Sequence, residues 1–244
     1  MIYIKKYRYK PLYKKLLKLR KNVQNRKKLL NFKKQKWEKF NFYLKNQSKF
    51  SKRRNRYYKI FDQYSYYNSK FSNYFSRKYK YNLQTKQRLN FFYGGLREKY
   101  LRSVYEQSLQ KSKSSHVNLN SKNFFIEMLE KRLDSVLLRS HFVLSIRNAN
   151  QLISHGHVFV NGKVVKKKSF LLKQGDIITF SPKIYSLIIF YIASSDLWPI
   201  PPKYLEINYR LFTIILIDDI KYTNITTNFP FWLDLNTVLK YYEN

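Results

Sequence analysis

The sequence contains no cysteine, which excludes disulfides and thiolate metal ligation from the start. Glycine occurs five times in 244 residues, and alanine only as Ala149 and Ala193, so sharp turns have few places to form. Acidic residues number 14 against 49 lysines and arginines, a formal net charge of +35. A chain this basic repels itself unless a polyanion neutralises it, and nucleic acid is the polyanion that best fits the excess. Long apolar runs are missing too. The cleanest, Ser186–Ala193, is far too short to span a bilayer and is expected to be a buried strand. A membrane surface fits poorly, because the charge sits among scattered tyrosines and phenylalanines rather than along a broad apolar helix face.

The charge that is present is uneven. Residues 1–56 hold 22 basic side chains and one acid, Glu38, for a local net of +21. Residues 182–244 hold five basic and six acidic side chains, a net of −1. The first end suits polyphosphate and the last suits packing against protein. Weak helical periodicity through Leu16, Leu19 and Val23 offers little to offset the repulsion, so order in residues 1–56 is expected only on RNA. Residues 57–82 are dense in tyrosine, which can stack on unpaired bases or simply pack. Lys, Asn, Ile, Tyr and Phe are all abundant, the bias of an A+T-rich genome such as many organelles carry. With Met1 opening the chain, synthesis inside an organelle is expected rather than import.

A helical pattern runs from Gln84 to Gln110, interrupted at Gly94-Gly95, and a polar break follows at Asn118–Lys122. From Phe124 to about Leu138 the spacing predicts one helix with Leu129, Leu133, Val136 and Leu137 on one face. A shorter helix should start at an N-cap, Ser145, bury Ala149, Leu152 and Ile153, and stop at Gly156 in the C′ position. Val158–Val160 then reads as a strand, Asn161-Gly162 as a type I′ turn, and Val164-Val165 as the return strand. Gly175-Asp176 marks a further turn into a strand, Ile177–Phe180. Phe212–Ile217 has the pattern of a strand buried on both faces.

The runs RLDSVLLRSHF, NANQLISHGHVFVNG and KQGDIITF, with their spacing, resemble the RNA-binding domain named after small-subunit ribosomal protein four. Upstream, LQTKQRLNFFYG is similar to that protein family's own L-x-x-K-Q-x-x-x-x-x-Y-G signature, and the likeness continues through EKYLRSVYEQS, one residue longer after Tyr93-Gly94. Downstream, Pro202-Lys203-Tyr204-Leu205-Glu206-Ile207 is similar to a P-x-W-L-E-V element. The resemblance covers about residues 83–181 and 199–244, and the opening RYKPLYKKLLKLRKNVQNRKK resembles mitochondrion-encoded members.

That resemblance implies an α+β fold. A basic extension (1–82) and a helical lobe (83–123) would hold an inserted two-helix, short-sheet RNA-binding domain (124–181), with a segment (182–244) returning to the lobe. It also implies a structural constituent of the small ribosomal subunit, mitochondrial or alternatively plastid. Such a protein binds small-subunit rRNA early at a multi-helix junction, neighbours ribosomal protein five, and lies near the mRNA entry channel. Two arginines common in the domain's second helix are replaced by Ile146 and Asn150, with Arg147 one position off, which counts against direct phosphate contacts there.

The residues expected at RNA are Arg53, Arg54, Arg56, Lys86, Gln87, Arg88, Arg132, Arg139, Arg147, Gln151, His155, His157, Asn161, Lys163, Lys166, Lys167 and Lys168. Lys166-Lys167-Lys168 could equally be a solvated charge run. Just after a hairpin, however, it is a candidate for phosphate. The arginines suit bidentate phosphate contact. His155 and His157 flank Gly156, but without cysteine or converging carboxylates they fit phosphate or a base better than a metal. Arg132-Leu133-Asp134 resembles the motif carrying the catalytic aspartate of pseudouridine synthases, yet it lies inside the module with no room for their catalytic domain. Asp134 is instead expected to partner Arg132 or Arg139, and no enzyme activity, cofactor or metal is expected. The alternatives are a non-ribosomal RNA-binding or RNA-modifying factor carrying the same domain and, more remotely, a basic nucleoid protein. The near-neutral tail, 199–244, is expected to meet protein five, and deleting 225–244 to weaken that neighbour's incorporation while sparing rRNA binding.

Overall fold

The computed structural model describes Leu19 and residues 74–114, 121–195, 200–217, 229 and 233–243. The expected RNA contacts Arg53, Arg54 and Arg56, and the expected behaviour of residues 1–56, lie outside these apart from Leu19. The chain divides into two units, residues 1–92 with 230–233 and residues 93–229 with 234–244. In the first, the described element is helix α1, Tyr74–Phe92, which runs through the boundary placed after residue 82. Its second half buries Thr85, Leu89, Phe91 and Phe92.

The second unit begins at Tyr93-Gly94, and its class is α+β. Helix α2 is Glu98–Ser114, α3 Ser121–Glu130, α4 Leu133–Arg139 and α5 Ile146–Ser154. Strands β1, Val158–Val160, β2, Lys163–Val164, and β3, Ile177–Phe180, follow. A 3-10 turn at Pro182–Ile184 leads into α6, Tyr185–Ala193. Strands β4, Leu205–Asn208, and β5, Thr213–Leu216, precede the last helix, α7, Leu235–Glu243. The strands form one antiparallel sheet in the order β2-β1-β3-β5-β4. The near-neutral tail therefore contributes two strands to the sheet begun by β1–β3. Its helix α7 packs on α2 and α3, with Tyr242 against Tyr105 and Phe125.

The continuous helix expected from Phe124 to Leu138 is broken at Lys131-Arg132. Arg132 is extended (φ −70°, ψ 137°) and bridges Leu171, while the Leu172 N–H donates to the Lys131 carbonyl. The 168–172 loop then caps α4 with backbone. Leu133 and Asp134 donate their N–H groups to the carbonyls of Phe170 and Lys168, satisfying first-turn donors that no side chain caps. Leu129, Leu133, Val136 and Leu137 nonetheless all end fully buried, as one face.

The shorter helix follows its sequence signals closely. Ser145 Oγ accepts the Asn148 N–H at 3.3 Å, and Ile146, Ala149, Leu152 and Ile153 are buried. Gly156 terminates the helix at φ +77°. Asn161 and Gly162 both take positive φ, as a type I′ turn demands, and Val160 pairs Lys163 across it. The return strand is Lys163–Val164, one residue earlier than its pattern suggests.

Two apolar segments depart from expectation. Ser186–Ala193 is helical, not a strand, and only Ile188 in it is buried. β5 alternates, with Ile214 and Leu216 buried and Thr213 and Ile215 half-buried, so one face of the strand and not both enters the core.

Gly94 ties the upstream signature to α5. It sits at φ +82°, and a Cβ there would meet Ile146 Cγ2 at 2.7 Å. Gly94→Ala should therefore lose about 2–4 kcal/mol by denaturant unfolding, combining left-handed strain with overpacking. Gly162→Ala, with φ +77° but nothing within 4 Å, should lose only about 1–2 kcal/mol, from the strain alone. Equal losses at the two positions would contradict the packing argument.

Candidate nucleic-acid interface

Charge alone does not decide which basic residues face solvent. Arg139 is turned inward, where its Nε and Nη2 both donate to the carboxylate of Glu130, which is 0% exposed. That carboxylate also accepts the Tyr93 hydroxyl at 2.6 Å and the Tyr204 hydroxyl at 2.9 Å. Burial alone would raise the Glu130 carboxyl, but Arg139 and the two hydroxyls outweigh it and hold the group below its ordinary value. Burial, reinforced by the Glu130 charge, pushes both tyrosines well above theirs, so they remain donors. For Arg139 the carboxylate outweighs burial and holds the guanidinium charged. Arg139 also lies over the Phe229 ring. One buried ion pair thus joins the tyrosine of the upstream signature, the break between α3 and α4, and the tyrosine of the P-x-W-L-E-like element.

Arg132 is committed in the same way. Its Nε and Nη2 hold the two oxygens of Asp134 at 3.0 and 2.7 Å, and it lies over the Tyr100 ring. Both arginines were expected at RNA, and neither has its fork free for phosphate. Asp134 is 1% exposed with both oxygens occupied. On α1, Lys86 and Arg88 are buried and Gln87 is exposed. Asn161 is exposed, but its amide is spent on structure. It donates to Asp176 at 2.8 Å and accepts the Ile177 N–H at 2.9 Å, fastening the hairpin turn to the turn before β3.

The remaining expected residues of the module are exposed or half-exposed. Arg147, Gln151 and Ser154 are exposed on α5, spaced i, i+4, i+7, opposite the buried Ile146, Ala149 and Ile153. The helix ends in His155, exposed, and His157, half-exposed, with ring centroids 6.2 Å apart. A Cβ placed on Gly156, between them, would lie 3.5 Å from Lys166 Cε. Lys166 therefore lies beside the helix end. Lys163, Lys166, Lys167 and Lys168 are all exposed, and the backbone after Lys167 is fixed by its bonds to α4. Lys173, which the sequence did not single out, is exposed as well. The result is a surface of amide, imidazole and ammonium donors with no carboxylate among the residues named, suited to phosphate oxygens and unpaired base edges. Among the described residues no group of three His, Asp or Glu is placed to hold a metal ion, and no helix is long and apolar enough to cross a membrane.

Comparison with known proteins identifies the family. The family described as S4 domain matches residues 131–178, from the helix break to β3. The small ribosomal subunit protein uS4 of Granulibacter bethesdensis is 34% identical over 161 residues, covering 66% of this chain and 75% of that protein. That of Pelagibacter ubique is 33% identical over 161 residues with the same coverage. The small ribosomal subunit protein uS4m of Reclinomonas americana is 34% identical over 170 residues, 66% of this chain and 64% of that protein. With a fold, a basic module surface and relatives that all point one way, the chain belongs to the uS4 family of small ribosomal subunit proteins.

Proposed function

We propose that the chain, a structural constituent of the small ribosomal subunit, holds small-subunit rRNA on the surface formed by Arg147, Gln151, His155, His157, Lys163 and Lys166–Lys168. The observation that carries this is Lys166 lying beside the end of α5 at Gly156. Residues 1–82, with Arg53, Arg54 and Arg56, extend the phosphate contacts; their local charge supports this. The mitochondrial ribosome is the favoured location, supported by the A+T-type composition and the likeness to the Reclinomonas protein; a plastid ribosome is the second candidate. A catalytic role for Asp134 like that of the pseudouridine synthases is disfavoured, since both its oxygens are held by Arg132. Sedimentation of native particles tests the assignment: the chain should remain with the small subunit in high salt. Release with free RNA-binding factors would favour the non-ribosomal alternative.

The neighbouring ribosomal protein five, and mRNA near its entry channel, are the further partners. Deleting residues 225–244 would remove Val238, Leu239 and Tyr242 from the core. Loss of the neighbour is therefore expected together with a lower melting temperature. Tyr241, exposed on α7, is the cleaner probe. Tyr241→Asp should reduce incorporation of protein five by about fivefold or more, the loss of a modest interface anchor, while losing its edge contact with Tyr242 lowers melting less than the deletion does. Normal incorporation would remove α7 from that interface.

A further inference from the structure

Strand β1 buries Val158 and Val160 and leaves Phe159 half-buried between them. The register sets Phe159 opposite exposed Val164 on β2 and half-buried Thr179 on β3. These three therefore lie across neighbouring strands, on the sheet face turned away from the core. The Val165 N–H donates to the Val158 carbonyl at 3.2 Å, which carries the pairing one step further and brings Lys166 opposite His157. By the two-residue period of a strand, His157 and Lys166 share the face of Phe159 and Val164. Gly156 supports this independently. A Cβ built there would lie 3.4 Å from Val164 Cγ1 and 3.5 Å from Lys166 Cε, so both side chains pass the same point. Among the described residues no second aromatic ring packs on Phe159. The acid on this sheet face, Glu206, is on β4, three strands from β1. The Asp176 carboxylate is held by the Asn161 amide and the Lys173 N–H.

We propose that Phe159 is a stacking platform for one unpaired base of small-subunit rRNA, with Lys166 on the adjoining phosphate. An aromatic ring edged by cations is the pattern that recognises unpaired bases. The ring takes the base face, and the ammonium takes the backbone. The platform is continuous with the rRNA surface proposed for this module, because His157 and Lys166 belong to both. A base inside a duplex has both faces covered by its neighbours and cannot reach a ring set in a sheet. The ligand is therefore a nucleotide in a loop, bulge or junction. Thr179, beside the ring, supplies a hydroxyl for a base edge or a 2′-OH. The proposal rests on the assignment of this surface to rRNA. Cross-strand packing alone also produces a half-buried phenylalanine, so the test must separate packing from stacking.

The test measures binding of the full chain to small-subunit rRNA over a series of salt concentrations. Phe159→Leu keeps an apolar side chain and removes the aromatic face. It should weaken binding about tenfold, the effect of losing one stacked base. The slope of log K against log salt should not change, because stacking releases no counterion. Phe159→Tyr should bind as the unsubstituted chain does. Phe159→Trp should also bind, and the fluorescence it adds should be quenched by rRNA. Full affinity in Phe159→Leu, or added fluorescence that rRNA leaves unquenched, would overturn the proposal. So would a Phe159→Leu chain that keeps its rRNA affinity but loses a neighbouring protein from assembled subunits, since the ring would then serve a protein contact. If Phe159→Leu fails to fold, the tryptophan quenching decides alone. Weakened binding on replacing Lys166–Lys168 together with full affinity in Phe159→Leu would sink this proposal only. Unchanged binding in the lysine variant would refute the assignment on which it rests.

Discussion

Arg139→Met should destabilise the protein by about 3–5 kcal/mol at pH 7, because it leaves the Glu130 carboxylate buried without its cation. The pH dependence identifies the cause. In the unsubstituted protein the Glu130 carboxyl is held below its ordinary value, so its contribution is present above the unfolded pKa of about 4.3 and fades as pH falls through the lower folded value. Without Arg139, burial governs and raises the carboxyl. The variant then has the opposite slope, with stability present at low pH and lost as pH rises through the raised value. The difference between the two proteins should therefore shrink steadily from pH 7 to pH 4.5 in urea unfolding. Adding Glu130→Leu should restore part of the loss, since a buried pair can often be replaced by apolar side chains. A pH-independent deficit would mean that Arg139 acts through packing on Phe229 and not through Glu130.

Replacing Lys166, Lys167 and Lys168 together with alanine should weaken rRNA binding about fiftyfold at 0.15 M salt. Each phosphate contact releases about 0.7 of a counterion on single-stranded RNA, so three contacts contribute about two units of salt slope. If the whole chain neutralises about ten phosphates, the slope of log K against log salt is roughly −7 for the intact protein and about −5 for the variant. All three side chains are exposed, so melting should not change. An unaltered slope would make the run a solvated charge cluster. Arg132 and Arg139 make an instructive contrast, because substituting either should reduce binding only in proportion to unfolded protein.

The RNA-binding module was legible in the sequence because its signals are local. Ser145 caps, Gly156 terminates, Asn161-Gly162 turns, and each meets the backbone requirement that selected it. The helix break at Lys131-Arg132 was not legible, since it depends on a loop about forty residues downstream, whose carbonyls accept the Leu133 and Asp134 N–H groups and whose Leu172 N–H donates to Lys131. The α6 segment misled for a different reason. A short apolar run rich in isoleucine has no period that separates strand from helix, and here the helix buries Ile188 and sets Tyr185 against Phe212.

Within the candidate interface, exposed lysines and the α5 stripe could be read from pattern, whereas arginine fate could not. Arg132 and Arg139 look like phosphate ligands until their acids are located. One signal was present in the run Phe124-Phe125-Ile126-Glu127-Met128-Leu129-Glu130, where two acids sit inside an otherwise apolar segment. Glu127 meets Lys131 at i, i+4, and Glu130 meets Arg139 across the break. A carboxylate at a core position requires a cation, and a basic residue nearby is then withdrawn from RNA. Asn161 shows the same withdrawal on a smaller scale, its hairpin role consuming the amide that could have read a base.

Ultraviolet crosslinking of native small subunits, followed by identification of the peptide bound to RNA, tests the central claim most directly. Peptides spanning residues 147–168 should carry small-subunit rRNA fragments, with adducts concentrated on His155, His157 and Lys166–Lys168, and none on Arg132 or Arg139. Absence of rRNA from that span while adducts form elsewhere on the chain, or on Arg132 or Arg139, would contradict it.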